Sequence, residues 1–431
     1  MDSTSIVPCT SPAVGKTMKN TCLLILCGFL PLISVIYAYA HETEPGQHIT
    51  GIAVHGLKRT KPQIAEVPLQ QFMGQRADTV DLNAVHAAVL DTGILEPLAV
   101  EIQDAPDGNG KILSVKVHEK WSIFPLPLFF ITSGEINGGL FFIDSNALGL
   151  NDKLFVGGMY STGGWMLIGG YAHSPGPGFP GWNVSTALAQ SERRNTDQQE
   201  RDIRRFGLAA LSASAGLSYP FTQALQVNPQ ISYRQMRLKD SASPLAPPES
   251  DVRAVGLGAN AALRKSRWDG FLLSEERLSL DYTFMFGQGT PAFHELRLQA
   301  GYQKPLLPGF RVNLRAGLLY APEAPALFES PPQVAQVEIL PGTFTARRYA
   351  GASAGLEKHI FTIKAGSLSA LMAYQAVFSE GPILGGGFDH GVAGAVVFYL
   401  SKLAIPAMAL SMAYNVPAKQ PQFSFSLGMS L

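Results

Sequence analysis

The chain has 431 residues, with 33 basic and 33 acidic side chains, a hydrophobic fraction of 46% and a mean hydropathy of +0.11. Balanced charge offers no electrostatic footprint for a nucleic-acid partner. No apolar run of roughly 18 residues or more follows residue 40, which excludes a bundle of membrane-spanning helices but not a membrane barrel, whose strands turn half of their side chains to water.

The N-terminus reads as an address. Lys16 and Lys19 precede an apolar run from Cys22 to Ile36, which ends in Ala38-Tyr39-Ala40. A basic region, an apolar region and an A-x-A site make a secretory signal over residues 1–40, with cleavage expected after Ala40. Met18 is an alternative start, and a retained anchor is the alternative fate of the segment. Cys9, Cys22 and Cys27 all lie within it. The exported chain is then free of cysteine, which removes disulfides, thiolate metal sites and cysteine nucleophiles. Bulky Leu26 argues against a lipoprotein site at Cys27. Ala13–Thr17 lacks the first glycine of a phosphate loop, since position 10 is Thr10.

Residues 48–120 have the texture of a small α/β module. Ile49–Gly56 alternates like a strand that stops at a glycine. Thr60 is placed to cap a helix over Pro62–Met73, closed by Gly74, and Asp81 to cap a second over Leu82–Asp91, closed by Gly93. Two strands follow, Ala99–Gln103 and Ile112–Val117. The connection Pro106-Asp107-Gly108-Asn109-Gly110 between them is a hairpin signal. The expected order is β-α-α-β-β.

Residues 121–431 are rich in Gly, Ser, Ala and aromatics, in strand-like runs separated by turns. Sixteen runs are counted, opening with Ser122–Ile131 and Gly134–Phe142 and closing with Ile405–Asn415 and Gln422–Leu431. Transmembrane strands need about 9–11 residues, so the span holds sixteen. In the last run Phe423, Phe425, Leu427, Met429 and Leu431 alternate with small or polar residues, which only a strand sorts onto two faces. An even count returns both barrel ends to the side of the first module. The turns at 220–223, 267–270 and 305–309 are short, whereas Arg193–Arg204, Ser241–Ser250 and Ala321–Ala350 read as longer loops of the opposite side. Pro125 and Pro127 in the first strand cannot donate to a ladder and belong at an edge. They mark the seam that must close on Phe423, Phe425, Leu427 and Leu431.

These features together resemble the BamA/TamA outer-membrane assembly superfamily (the bacterial surface antigen family). The first module resembles its periplasmic POTRA domain at Ile52, Gly56, Gly74, Leu90, Gly93 and Glu119, and departs from it at Ile94-Leu95. Asp144-Ser-Asn-Ala-Leu-Gly149 resembles the superfamily's early-barrel D-x-N-x-x-G turn. Ala346-Arg347-Arg348-Tyr349 resembles the tip of its inward-folded loop, with Arg348 in place of a glycine. An arginine resists positive φ, so a changed tip backbone is expected. The resemblance implies that Arg347 locks onto a carboxylate of the barrel wall, with Glu380 in Val377–Gly381 and Glu357 as the two candidates. Phe378 and Glu380 share one strand face, so Glu380 reaches the lumen only through a bulge if Phe378 points to lipid.

The expected fold class is an α+β POTRA domain followed by a 16-stranded antiparallel transmembrane β-barrel. Its expected place is the outer membrane of a Gram-negative bacterium, with the POTRA domain in the periplasm. A mitochondrial or plastid address does not fit the secretory presequence. No catalytic set can be assembled: the nine histidines are scattered, and Gly366–Ala370 lacks the second glycine of a nucleophile elbow. No enzyme activity, metal or cofactor is expected. The expected partners are outer-membrane lipid, client polypeptides that add a strand to the POTRA sheet edge, and periplasmic accessory proteins. An insertion or assembly factor is the first reading. A two-partner-type secretion pore and a structural surface-antigen barrel are the alternatives.

Overall fold

The computed structural model describes residues 48–106, 108–132, 135–175, 179–222, 224–241, 251–269, 272–364, 366–381, 385–400 and 406–427. The expected export signal over 1–40 and the terminal Leu431 lie outside the described residues.

The first module consists of β1 (Ile49–His55), α1 (Pro62–Glu66), a 3-10 turn (Val67–Phe72), α2 (Leu82–Leu90), β2 (Leu95–Asp104) and β3 (Lys111–Glu119). Its sheet runs β1-β3-β2, with β1 parallel and β2 antiparallel to β3. Ile49, Leu69, Val85, Val89, Leu95, Leu113 and Val115 form its core. This is the β-α-α-β-β order of a POTRA-like domain. Asp81 caps α2 by accepting the Asn83 N–H at 2.8 Å. Two expectations change. The helix expected over Pro62–Met73 breaks after Glu66, because Pro68 withholds an N–H and crowds the preceding turn. Thr60 does not cap it: Lys61 takes the cap position without a side-chain bond.

The remainder is a closed antiparallel barrel of sixteen strands. They are β4 (Ile123–Thr132), β5 (Glu135–Ala147), β6 (Asp152–Ser161), β7 (Gly164–His173), β8 (Gly181–Thr196), β9 (Asp202–Pro220), β10 (Leu225–Ser241) and β11 (Val252–Asp269), followed by β12 (Leu272–Gln288), β13 (Phe293–Leu307), β14 (Phe310–Tyr320), β15 (Arg348–Ile363), β16 (Gly366–Gly381), β17 (Gly385–Leu400), β18 (Pro406–Asn415) and β19 (Gln420–Leu427). Leu140, Val156, Leu167, Val184, Leu257, Leu280, Leu314, Val392 and Leu410 all face outward and are exposed. Such an apolar belt is what hydrocarbon requires of a barrel exterior.

Strand length is the main difference from expectation. The charged segment Arg193–Arg204 is mostly ladder, since β8 runs to Thr196 and β9 begins at Asp202. Charges pair across the two strands, Arg194 with Asp202 within the segment and Arg205 with Glu192 just outside it. Only residues 197–201 turn, with Asp197 accepting the N–H groups of Gln199 and Arg201 and Glu200 at φ 62°.

Candidate functional site

The segment between β14 and β15, residues 321–347, is apolar at positions that a solvated loop would leave polar. Ala321, Ala324, Leu327, Phe328, Ala335, Val337, Ile339, Leu340, Phe344 and Ala346 are all buried. Its first half packs with Phe206, Leu208, Met236, Val252, Met285 and Phe293 from β9 to β13. Its second half packs with Leu319, Val377, Ala393 and Ala413 from β14 to β18. A single segment touching the inner faces of opposite arcs lies in the lumen. Glycine permits the approach: a Cβ on Gly317 would stand 2.4 Å from the Val334 carbonyl oxygen, and one on Gly351 2.5 Å from that of Ala335.

At the tip, the three residues singled out by sequence go three ways. The Arg347 N–H donates to the Glu380 carbonyl at 3.0 Å, while its side chain points to Glu329, 3.6 Å away. Arg348 opens β15 in extended conformation and faces outward. It pairs with Glu380 at 2.9 and 3.1 Å and stacks its guanidinium over Tyr320 at 5.2 Å. Tyr349 turns back inward, is 2% exposed and donates its hydroxyl to the Ser330 carbonyl at 3.0 Å.

Neither expected partner therefore receives the Arg347 guanidinium. Glu380 shares the outward face of Phe378, with no bulge to turn it inward. Glu357 lies at the opposite end of the lumen, buried with Arg311 and Tyr399: Arg311 donates to its carboxylate and the Tyr399 hydroxyl donates to it at 3.0 Å. The acid that gathers the loop is Glu329, on the loop itself. It accepts Arg204 of β9 at 3.1 and 3.2 Å and the Thr345 hydroxyl at 3.0 Å. Its one sequence signal is an acid between Leu327-Phe328 and Ser330-Pro331, in a run otherwise fit for burial.

The far end of the segment crosses to β8. Phe344 bridges Thr196 in parallel register, the Thr196 N–H donates to the Thr343 carbonyl at 3.2 Å, and Asn195 donates to Thr345 at 2.6 Å. The β8–β9 turn also reaches β19, where Gln422 donates to Glu200 at 2.9 Å. Loop and hairpin together span the barrel mouth.

The seam joins the last barrel strand to the first. Four described pairs join β19 to β4: Ser424 to Thr132, Phe425 to Ile131, Ser426 to Phe130 and Leu427 to Phe129. The β16–β17 ladder runs unbroken from Gly366–Leu400 to Gly381–Gly385. Phe423 is exposed on the outer face, and the Phe129 and Phe425 rings stand 6.2 Å apart. Pro125 and Pro127 sit opposite Phe142 and Leu140 of β5, and β4 has no described partner beside them on its other edge.

At the opposite end from the loop, the first module is bolted to the barrel's first near-side turn. Asp144 accepts the Arg59 guanidinium at 2.5 Å, Ser122 accepts it at 2.8 Å, and Asn146 donates to the Thr60 hydroxyl at 2.8 Å. The Lys61 N–H reaches the Gly149 carbonyl at 2.9 Å. Gly149, at φ 73°, has no room for a Cβ, which would lie 2.1 Å from the Arg59 carbonyl oxygen. Each defining residue of the D-x-N-x-x-G pattern therefore touches the module. Glu119 accepts the N–H groups of Lys58, Arg59 and Thr60 at 2.7 to 3.0 Å. Burial alone would push its carboxyl up, but these backbone donors outweigh that and hold it below the ordinary glutamate value.

The architecture has solved counterparts. A BamA from Haemophilus ducreyi lacking POTRA domains 1–3 is similar with a TM-score of 0.64 at 12% identity, over 89% of this chain and 84% of that one. CdiB from Escherichia coli gives 0.59 at 14% identity, over 89% and 77%. CdiB from Acinetobacter baumannii gives 0.60 at 14%, over 89% and 74%. This chain shares their fold. No family model matches it, and no curated protein matches it in sequence.

Proposed function

We propose that this protein is an outer-membrane insertion or assembly factor of the BamA/TamA type, with its POTRA-like domain in the periplasm and its seam as the route into lipid. The observation that carries this reading is the closed mouth. The mouth is crossed by a loop held through a buried Arg204–Glu329 pair, so a client that leaves the loop in place must pass through the wall, at the strand edges that meet in the seam. A client strand can add to an opened seam edge at low cost, because each register pair it displaces is replaced by one of its own. The likeness to BamA and CdiB supports the superfamily, and the edge of β2 in the first module, which pairs with no further strand among the described residues, supports capture of client or accessory chains. Export of a polypeptide through the lumen is the competing reading, and it requires the loop to leave.

The test is depletion of the protein followed by quantitative proteomics of the outer membrane, with complementation by a seam-locked variant. Phe130 and Ser426 face each other across the seam, and cysteines there are within disulfide reach. Loss of outer-membrane barrels that wild type restores and Phe130→Cys/Ser426→Cys restores only under reduction is the expected result. Normal barrels with loss of one secreted polypeptide would move the reading to export. An unchanged membrane would leave a structural barrel.

A further inference from the structure

The outer face of β6 to β10 carries an ordered row of side chains at the end of the barrel remote from the first module. Tyr160 pairs with Trp165, Trp165 with Gln190, Gln190 with Ala209 and Ala209 with Arg237, so the five residues cross five strands on one face. Two aromatics stand at one end, an arginine at the other, and Ala209 lies between. Tyr160, Trp165 and Gln190 of this row line a groove of about 740 Å³ together with Gly207 and Lys239, and Arg237 precedes Lys239 by two residues on the same strand face. One strand step toward the first module, the outward row is Gly158, Leu167, Leu188 and Leu211. The groove is therefore apolar below and cationic above.

Its charge is unbalanced. Arg205 and Glu192 line it and pair with each other. Arg237 and Lys239 make no ion pair among the described residues; Arg237 donates to the Gln235 amide oxygen at 2.8 and 3.0 Å, and Asp251, just before β11, accepts the Leu238 N–H at 2.9 Å. Tyr160 is 72% exposed and Trp165 41%, as aromatics are where hydrocarbon meets headgroups. Two cations with no ion-pair partner among the described residues, at that level and above leucines, fit a ligand with phosphate at one end and acyl chains at the other.

We propose that this groove binds a phosphorylated glycolipid of the outer leaflet, its acyl chains along Leu167, Leu188 and Leu211 and a phosphate between Arg237 and Lys239. Assignment to the outer leaflet rests on the orientation proposed above, with the first module in the periplasm. The site holds the β8–β9 side of the barrel to ordered lipid.

Native mass spectrometry of the full chain in detergent tests the site, with added bisphosphorylated lipid A, its dephosphorylated form and phosphatidylglycerol as probes. Wild type should retain lipid A, and Arg237→Gln/Lys239→Gln should lose about tenfold or more of that occupancy. Lys239→Gln alone should give an intermediate loss, with heat-modifiable gel migration confirming that each barrel is folded. Equal retention by the double variant, or equal retention of the dephosphorylated lipid, would overturn the proposal. Protease treatment of intact cells tests the orientation separately: cleavage of the first module from outside would reverse the leaflet and leave the detergent result standing.

Discussion

Arg204 and Glu329 meet inside the barrel at 3.1 Å, with side chains 4% and 1% exposed, and so tie a wall strand to the loop that crosses the lumen. Removing one partner leaves the other charged, buried and short of donors or acceptors, which costs about 3–5 kcal/mol. Glu329→Gln and Arg204→Ala should each loosen residues 321–347, seen as faster limited proteolysis in that segment and higher conductance in planar bilayers. Arg204→Met/Glu329→Leu removes both charges and should disturb the loop less than either single change. Unchanged conductance in both single variants would show that the apolar contacts alone hold the loop.

Glu119 links the fold of the first module to pH. Its carboxyl titrates below the ordinary glutamate value of 4.5, so ionised Glu119 stabilises the folded junction. Stability from this group is present above 4.5 and is lost as pH falls through the lower, folded value. Pulsed EPR distances between spin labels at Lys116 and Leu148 should be narrow at pH 7 and broaden on acidification through that window. Glu119→Gln keeps the shape but weakens three charge-assisted bonds, so its distances should already be broad at neutral pH and respond less to acid.

Gly149 offers a steric test of the same junction. Alanine there must accept φ near 73°, a cost of about 1 kcal/mol or more, and must also move the Arg59 carbonyl from 2.1 Å. Gly149→Ala should therefore broaden the Lys116–Leu148 distances at pH 7, while the barrel's heat-modifiable migration stays as in wild type. Gly309→Ala has the same backbone penalty at φ 75° but meets nothing within 4 Å, and should leave those distances narrow.

Strand number and facing were legible because hydrocarbon imposes a strict alternation. The parity shared by Phe378 and Glu380 was enough to foresee that Glu380 faces outward unless a bulge intervenes. Strand length was less legible: β8 and β9 continue past the membrane as a charged ladder, where pairing of Glu192 with Arg205 replaces the apolar signal. Glu329 and Thr60 could not be assigned from local sequence. Thr60 sits where a helix cap belongs, yet its hydroxyl is taken by Asn146, 86 residues away. Glu329 is a loop acid whose partner Arg204 lies 125 residues upstream. Period and propensity report a residue's own strand or helix, and say nothing of contacts at that separation.

The seam carries the proposed role, and amide exchange reads it directly. Opening a strand edge is opposed by its ladder bonds and side-chain contacts, and the proposed gate requires the seam to open at lower free energy than the ladders inside the wall. Amides of Ser424–Leu427 should exchange faster than those of Ala370–Gln375, which lie within the continuous ladders of β16 with β15 and β17. The Gln422–Glu200 bond steadies β19 from the mouth and is charge-assisted, worth about 1.5–3 kcal/mol. Gln422→Ala should then speed exchange in Ser424–Leu427 by about tenfold or more, since each 1.4 kcal/mol is a factor of ten, and leave Ala370–Gln375 unchanged. A uniform acceleration across both segments would mean that Gln422 stabilises the whole barrel. No acceleration in either would mean that the β8–β9 turn rests on β19 without holding it.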